Sequence, residues 1–331
     1  AADAGAEVVL VDENPRIGGS GTYALGSDAA GARRVADLID AVTSHPRIRR
    51  FISTVAVGLY ADHWLALDAP DRMLKLRVRA VIIAQGAFEQ PAVFRNNDLP
   101  GVMLASGAQR LMRRYAVAPA SRIGVLAANV HAYRAALDAR AAGIEVPVIL
   151  DLRESPGPQS RLLAESLREQ GVRVLNGAAV YAAHGGRDGE IEAIELAERR
   201  AGAWQRSPGD AIAVDGLWMS VGFAPADALL RQAGARMRYD AGACQFVPDM
   251  LPHGLFACGK VNGMFDLAAR FADGARAGDA AARNCGFESK GDQGAIAPDD
   301  ESATHPLPIV EHPRGKNFVD FDEDLQLKDL A

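Results

Sequence analysis

Residues 1–19, AADAGAEVVLVDENPRIGG, read as the end of a helix, a buried strand, two acids at the strand's end and a Gly-Gly turn. In a dinucleotide-binding βαβ unit this order follows the glycine-rich phosphate loop. The acid stands about 20 residues past that loop and bonds the ribose hydroxyls. Here the strand is Val8-Val9-Leu10-Val11, the acids are Asp12 and Glu13, and Asn14 follows them. The first strand and the G-x-G-x-x-G loop are not in the stretch. The expectation is half a dinucleotide site, with the first βα unit truncated and the segment part of a longer gene product. Two adjacent acids repel a 2′-phosphate and favour NAD over NADP; Arg16 works against that preference.

Working outward, two stretches follow one plan. A helix over 29–44 leads into strand-like FISTVAVGLY, a hairpin near 68–71 and the apolar strand VRAVIIAQG. Later a helix over 159–171 leads into VRVLNGAAVY, a hairpin with turns near Gly185-Gly186 and Gly202, and VDGLWMSVG. Each ends as strand, glycine, short loop and proline, at Ala84 to Pro91 and Ser220 to Pro225. Strands alternating with helices predict parallel sheets. A repeat this long predicts two related nucleotide-binding folds, not a solenoid.

The second copy keeps its own βαβ: strand and turn SRIGVLAANV, helix AYRAALDARAAG, strand VPVILDLRE. Its glycine spacing is poor. Gly124 is present, but Ala127 and Asn129 stand where the second and third glycines belong, and a side chain there blocks a pyrophosphate. This unit is expected to bind no nucleotide. Residues 254–283 read as strand, glycine turn and a helix with small residues at helical spacing, a return to the first fold. The polar, Gly- and Pro-rich stretch after it reads as a linker, and GKNFVDFDEDLQLKDL as the start of something else. The predicted fold is α/β: two Rossmann-like domains, the second inserted in the first. The predicted boundaries are 1–99, 100–243, 244–286 for the return, and 287–331 for linker and following domain.

Bulk composition narrows the function. A net charge of −6 with no basic stripe argues against a nucleic-acid partner. No apolar run approaches the ~20 residues that span a bilayer, so no membrane role is expected. Cys244, Cys258 and Cys285 form no C-x-x-C pair or metal-ligand spacing, and the seven histidines are scattered. A cytoplasmic protein with free thiols and no metal is the plain reading.

Taken together, these pieces resemble the flavoprotein disulfide reductase-like fold. DENPRIGGS, VIIAQGAFEQP, DLPGVMLASGAQRLMRRYAVAP, ACGKVNG and the acidic tail resemble the α-subunit family of heterotetrameric sarcosine oxidases. Related amine and opine dehydrogenase α subunits carry cluster-ligating cysteines after the fold. Here the tail holds Asp320, Asp322, Glu323 and Asp324 and no cysteine, which argues against an iron–sulfur cluster. The resemblance implies that this segment binds NAD. It places FAD and covalent FMN on a β subunit or its interface, and a tetrahydrofolate-binding domain beyond this segment. It further implies β-, γ- and δ-type partner subunits and a small amine substrate, sarcosine, oxidised at the flavin with electrons passing to oxygen.

The candidate cofactor-binding residues follow. Asp12 and Glu13, with Asn14, face the ribose; the alternative is a solvated acidic turn. Gly18-Gly19-Ser20 form a turn whose N–H groups face the pyrophosphate. Val55, after Thr54, lies beside adenine or is simply a strand valine. Ala84 to Gly86 close a strand beneath the nucleotide, or the glycine permits a tight turn. Gly259-Lys260 is the most telling pair. Flavoproteins of this fold usually place an acid after that glycine, and lysine cannot accept the ribityl hydrogen bond. Gly263 lets the next helix start close to the phosphates; Phe265 and Leu267 line the pocket or pack the core. No catalytic set is read from the sequence. Three functions stand: NAD-binding segment of an amine oxidase α subunit, FAD-dependent pyridine nucleotide oxidoreductase or amine/opine dehydrogenase α subunit, and non-catalytic scaffold.

Overall fold

The computed structural model describes residues 1–26, 28–209, 211–288 and 300–330. The chain divides into two compact units: Ala1–Thr22, Asp28–Phe88 and Ala224–Asp299 form one, Tyr23–Ser27, Glu89–Phe223 and Asp300–Ala331 the other. Both are α/β with parallel strands, as the alternation of apolar strands and amphipathic helices predicts.

In the first unit, strand Val8–Val11 pairs in parallel with Ile48–Phe51 across helix Ala29–Ser44. The helix starts where Asp28 accepts the Gly31 N–H at 2.8 Å. The stretch FISTVAVGLY is not one strand. Ser53 takes a left-handed φ of 47° and donates its N–H to the Asn14 carbonyl. The chain thereby leaves the parallel pair and enters the antiparallel meander Val55–Tyr60, Trp64–Ala69 and Arg72–Arg77. The meander packs over a second parallel pair, Val81–Ile83 with Leu255–Ala257. Leu59, Leu65, Leu67, Val81, Ile83, Leu230, Leu255 and Val261 form the core between them. Fully burying a leucine such as Leu59 or Leu67 contributes about 1.5–3 kcal/mol.

The second unit carries a five-stranded all-parallel sheet. Its order is Arg173–Asn176, Glu145–Asp151, Arg122–Ala127, Gly216–Ser220, Val102–Leu104. VRVLNGAAVY breaks as its counterpart does, at Gly177 with φ 62°, into a parallel strand and the antiparallel strand Ala178–Gly185. The repeat read from sequence is therefore also a repeat of where the strand changes sheets. Helix Val130–Ala141 is buried along most of its length, so its stripe of small residues and Tyr133 pack on the sheet.

The return to the first unit begins at Ala224, upstream of the expected position 244. The Ala226 N–H bonds the Gly86 carbonyl, and Gln232 accepts the Leu59 N–H at 2.8 Å, so short helix Ala228–Gln232 is held to the meander. Residues 300–330 are grouped with the second unit. Asn97 ties them down from both sides of its amide, donating to the Phe318 carbonyl and accepting the Phe318 N–H. The expected linker falls largely on 289–299, outside the described residues.

Candidate functional site

Strand Val8–Val11 ends at Asp12, whose N–H continues the parallel ladder to Phe51 O at 2.9 Å. Its carbonyl accepts the Thr54 N–H at 3.0 Å. Asp12 Oδ1 accepts the Asn14 backbone N–H (2.9 Å) and side-chain amide (3.1 Å). This local turn fixes the carboxylate and leaves Oδ2 with no hydrogen bond among the described residues. Glu13 is exposed and Asn14 half-buried. Asn14 thus orients the acid. Thr54, 2% exposed and bonded to Asp12, is the buried neighbour of the turn. Val55 follows it as the first residue of the meander, 43% exposed and opposite Asp68.

The Gly-Gly turn has two different glycines. Gly18 has φ 108°, and a Cβ there would stand 2.6 Å from Ile39 Cδ1, so close packing on helix Ala29–Ser44 demands it. Gly19 has φ 53° and open space where a Cβ would stand. Gly19 opens the short turn Gly19–Thr22, which includes half-buried Ser20, and Thr22 Oγ1 donates to the Gly19 carbonyl.

The second parallel pair shares the core of the first unit. Its strands end side by side, the Cys258 N–H bonding the Ile83 carbonyl at 3.0 Å. Ala84 is exposed just past one end. Gly86 and Gly259, with φ 80° and 77°, again border open space. Val11 packs on the same core as Ile83, Ala257 and Val261, so the carboxyl ends of both pairs meet over one cluster. Helix Ala29–Ser44 and helix Leu267–Asn284 pack together, Arg34 lying over the Phe271 ring at 4.2 Å.

Past Gly259 the turn Gly259–Asn262 ends at Gly263, left-handed at φ 79°, and Asp266 caps the following helix through the Ala269 N–H. Lys260 Nζ lies 5.8 Å from the Phe265 ring centroid. Phe265 itself is 3% exposed and packs the core. What the sequence reading missed is Asp273. Its carboxylate, on the buried stripe Ala269, Asp273, Ala277, accepts the Gly259 N–H at 2.8 Å, both oxygens receive the Asn262 amide, and Arg276 pairs with it. Arg276 also donates to the Ala257 carbonyl. One buried acid therefore fixes the glycine turn at the strand end. In sequence Asp273 is only an acid at helical spacing among small residues; its burial and partners come from the fold.

Cys258, beside this turn, is buried, and burial followed by the Asp273 carboxylate pushes its thiol up to about 11. All three cysteines are free thiols. Among the described residues no group of His, Cys, Asp and Glu has metal-binding geometry, and no helix is long and apolar enough to cross a membrane.

One acceptor oxygen is presented at a strand end, and Gly19, Gly86 and Gly259 border open space. Residues 1–278 match the family described as pyridine nucleotide-disulphide oxidoreductase. The chain is 31% identical to sarcosine oxidase subunit alpha of Corynebacterium sp. (strain P-1), over 100% of this chain and 36% of that protein. It is 30% identical to the same subunit of Rhizobium meliloti (strain 1021), over 99% and 33%. It thus spans about a third of the length of these curated relatives. The resemblance drawn from the sequence motifs is borne out. Among solved structures, L-proline dehydrogenase from P. horikoshii superposes with a TM-score of 0.64 at 17% identity, over 85% of this chain and 51% of that one. Thioredoxin reductase from T. acidophilum gives 0.64 at 16%, over 86% and 92%. These two show the fold.

Proposed function

This chain belongs to the pyridine nucleotide-disulphide oxidoreductase family, and from that premise we propose that its first unit is an NAD-binding segment within the alpha subunit of a flavin-dependent amine oxidase of the sarcosine oxidase kind. The observation that carries the reading is Asp12: a carboxylate fixed by Asn14 at a parallel strand's carboxyl end, with Oδ2 left to accept a ribose hydroxyl. The bare backbone at Gly19, Gly86 and Gly259 supports close approach of the diphosphate. Glu13, Gly18, Ser20, Val55, Ala84 and Gly263 line or shape the same ends of the strands in this proposal.

NAD would be held by Asp12 and by the glycine turns. Flavin redox chemistry, with FAD and FMN supplied on a partner subunit or its interface, would act on sarcosine or a similar small amine. Tetrahydrofolate would accept the one-carbon unit elsewhere in a heterotetramer with β-, γ- and δ-type subunits. This chain's own residues bind and orient; none is assigned a catalytic role. An FAD site in the first unit is the competing reading. Lys260 stands against it, because a cation offers no acceptor to a ribityl hydroxyl.

Asp12→Ala in the full-length subunit is expected to weaken NAD binding by about tenfold, the worth of one charge-assisted hydrogen bond. Equal affinity in calorimetry rejects the role. A flavin absorbance band carried by the purified chain alone favours the competing reading.

A further inference from the structure

Open α/β sheets carry a crevice beyond the carboxyl ends of their strands, and in the second unit later residues of the chain lie over those ends. The parallel strands Glu145–Asp151, Arg122–Ala127 and Gly216–Ser220 end together, with the chain folding away from Arg122–Ala127 on either side. Such a switch point is where open α/β sheets bind ligands. Asp151, at the strand end where a ribose acceptor belongs, is fully buried. It is already engaged by the Tyr133 hydroxyl (2.7 Å) and by Arg153 Nε and Nη2 (3.0 and 2.8 Å). Asn129, in the turn where glycine is wanted, caps helix Val130–Ala141 through the His131 N–H.

Over these ends runs the segment 301–310. The turn Asp300–Ser302 packs on helix Val130–Ala141. Helix Pro158–Glu169 has no cap from its own N-terminal residue, Gly157. The Glu301 carboxylate supplies it instead, accepting the Gln159 and Ser160 N–H groups at 2.6 and 2.8 Å. Arg153 reaches Ser160 Oγ at 3.2 Å, placing its charge at the same spot. Burial raises the Glu301 carboxyl, but the Gln159 and Ser160 donors and Arg153 outweigh it and hold the group below the usual carboxylate range. Thr304 Oγ1 then accepts the Phe223 N–H and donates to the Phe223 carbonyl, and the His305 N–H bonds Val221 O. A Cβ on Gly222 would stand 3.0 Å from Thr304 Cα, so the strand turn is shaped to the segment. Val310 closes the run in the core, its N–H on Val93 O.

We propose that residues 301–310 are a fixed internal ligand of this crevice, with the Glu301 carboxylate holding the anion position at the N-terminus of helix Pro158–Glu169 and the segment keeping nucleotides out of the second unit. A helix N-terminus with donors converging on a carboxylate is an anion site whose occupant is covalently attached. The inference concerns the second unit alone and stands apart from the NAD reading of the first.

The test compares the 331-residue chain with its Glu301→Ala and Glu301→Gln variants, using inorganic phosphate as the probe against chloride at equal ionic strength. Hydrogen exchange is read at Gln159 and Ser160. The native chain is expected to exchange slowly there with or without phosphate. Glu301→Ala is expected to exchange about tenfold faster, and phosphate to slow it again. Glu301→Gln keeps the volume and one acceptor oxygen; should the alanine variant not fold, faster exchange in glutamine gives the same reading. Equal exchange in native and variant chains overturns the proposal. So does phosphate protection in the native chain, or its failure in the alanine variant. NADH added to the native chain is expected to leave 127–160 unprotected, and protection there also overturns it. Protection at 12–19 bears only on the first unit, so the two readings fail separately.

Discussion

At the scale of single residues, two aspartates divide the work at the first unit's strand ends. Asp12 presents an oxygen outward, while Asp273 spends both of its oxygens inward, on Gly259, Asn262 and Arg276. Asp273 is 1% exposed and Arg276 37%. Asp273→Leu strands the Gly259 and Asn262 donors and leaves Arg276 half-buried without its partner. It is expected to destabilise the chain by about 3–5 kcal/mol, the usual cost of removing the buried partner of an ion pair and stranding its donors, lessened where Arg276 regains solvent. Asp273→Asn keeps one acceptor and is expected to lose less. Urea unfolding of both variants checks the order; a neutral leucine variant contradicts the account. Why one glycine is needed for packing and its neighbour for openness was invisible in the pair Gly18-Gly19. Both have positive φ, and the positions of Ile39 and Thr22 separate them.

At the scale of elements, the breaks inside strands matter more than the strands. Both copies of the plan have an apolar run that one would draw as a single strand, and both change sheets at a left-handed residue, Ser53 or Gly177. Burial does not strictly alternate on either side of the breaks, and the apolar run alone did not locate them. Gly124 is the opposite case. Its sequence position invited a phosphate-loop reading, yet it lies inside strand Arg122–Ala127, where a Cβ would stand 2.8 Å from Ile194 Cδ1. The glycine lets the antiparallel strand Ile191–Arg200 pack on the parallel sheet. Gly124→Ala is expected to cost about 1–3 kcal/mol by overpacking. Pairing it with Ile194→Val, which removes the clashing methyl, should recover part of the loss. A double-mutant cycle with no coupling would show that the contact is not the cause.

At the scale of the whole molecule, the two units differ in how their parallel strands are supported. In the first, the described parallel strands form two separate pairs, Val8–Val11 with Ile48–Phe51 and Val81–Ile83 with Leu255–Ala257. In the second, Arg122–Ala127 and Glu145–Asp151 each have a neighbour on both sides. Central strands open only in the rarest fluctuations. The amides of Arg122–Ala127 and Glu145–Asp151 are therefore expected to exchange slowest of all. Those of Val8–Val11 should exchange faster, and the reverse order in native-state hydrogen exchange would refute this. Stability should also fall at alkaline pH. The Cys258 thiol titrates near 9.0 when free and about 11 in the fold. Its folded value is raised, so its contribution is intact below pH 9 and is lost as pH climbs toward 11, by about 2–3 kcal/mol. Tyr133, raised by burial and then by Asp151, pushes the same way at higher pH. Thermal unfolding from pH 8 to 11 should show a shallower decline for Cys258→Ala than for the parent.

Class and plan were legible in the residues: alternating apolar strands and helices, an internal repeat, an acid closing strand Val8–Val11, and glycines bounding two strand ends. These are local properties, carried by side-chain periodicity and backbone permissiveness, and they survive without knowing what packs where. Which of those residues face open space depends on the folded chain. Gly19, Gly86 and Gly259 border such space, whereas Gly18 and Gly124 are packed, because a glycine's role is set by atoms far away in the chain. The fold also decided that the acid governing the Gly259 turn is Asp273 from the next helix, and that Glu301, read as linker, caps helix Pro158–Glu169 some 140 residues upstream. Both are hydrogen bonds between distant segments. A carboxylate's partner is fixed by the convergence of backbone donors in space, which no pattern in neighbouring residues encodes.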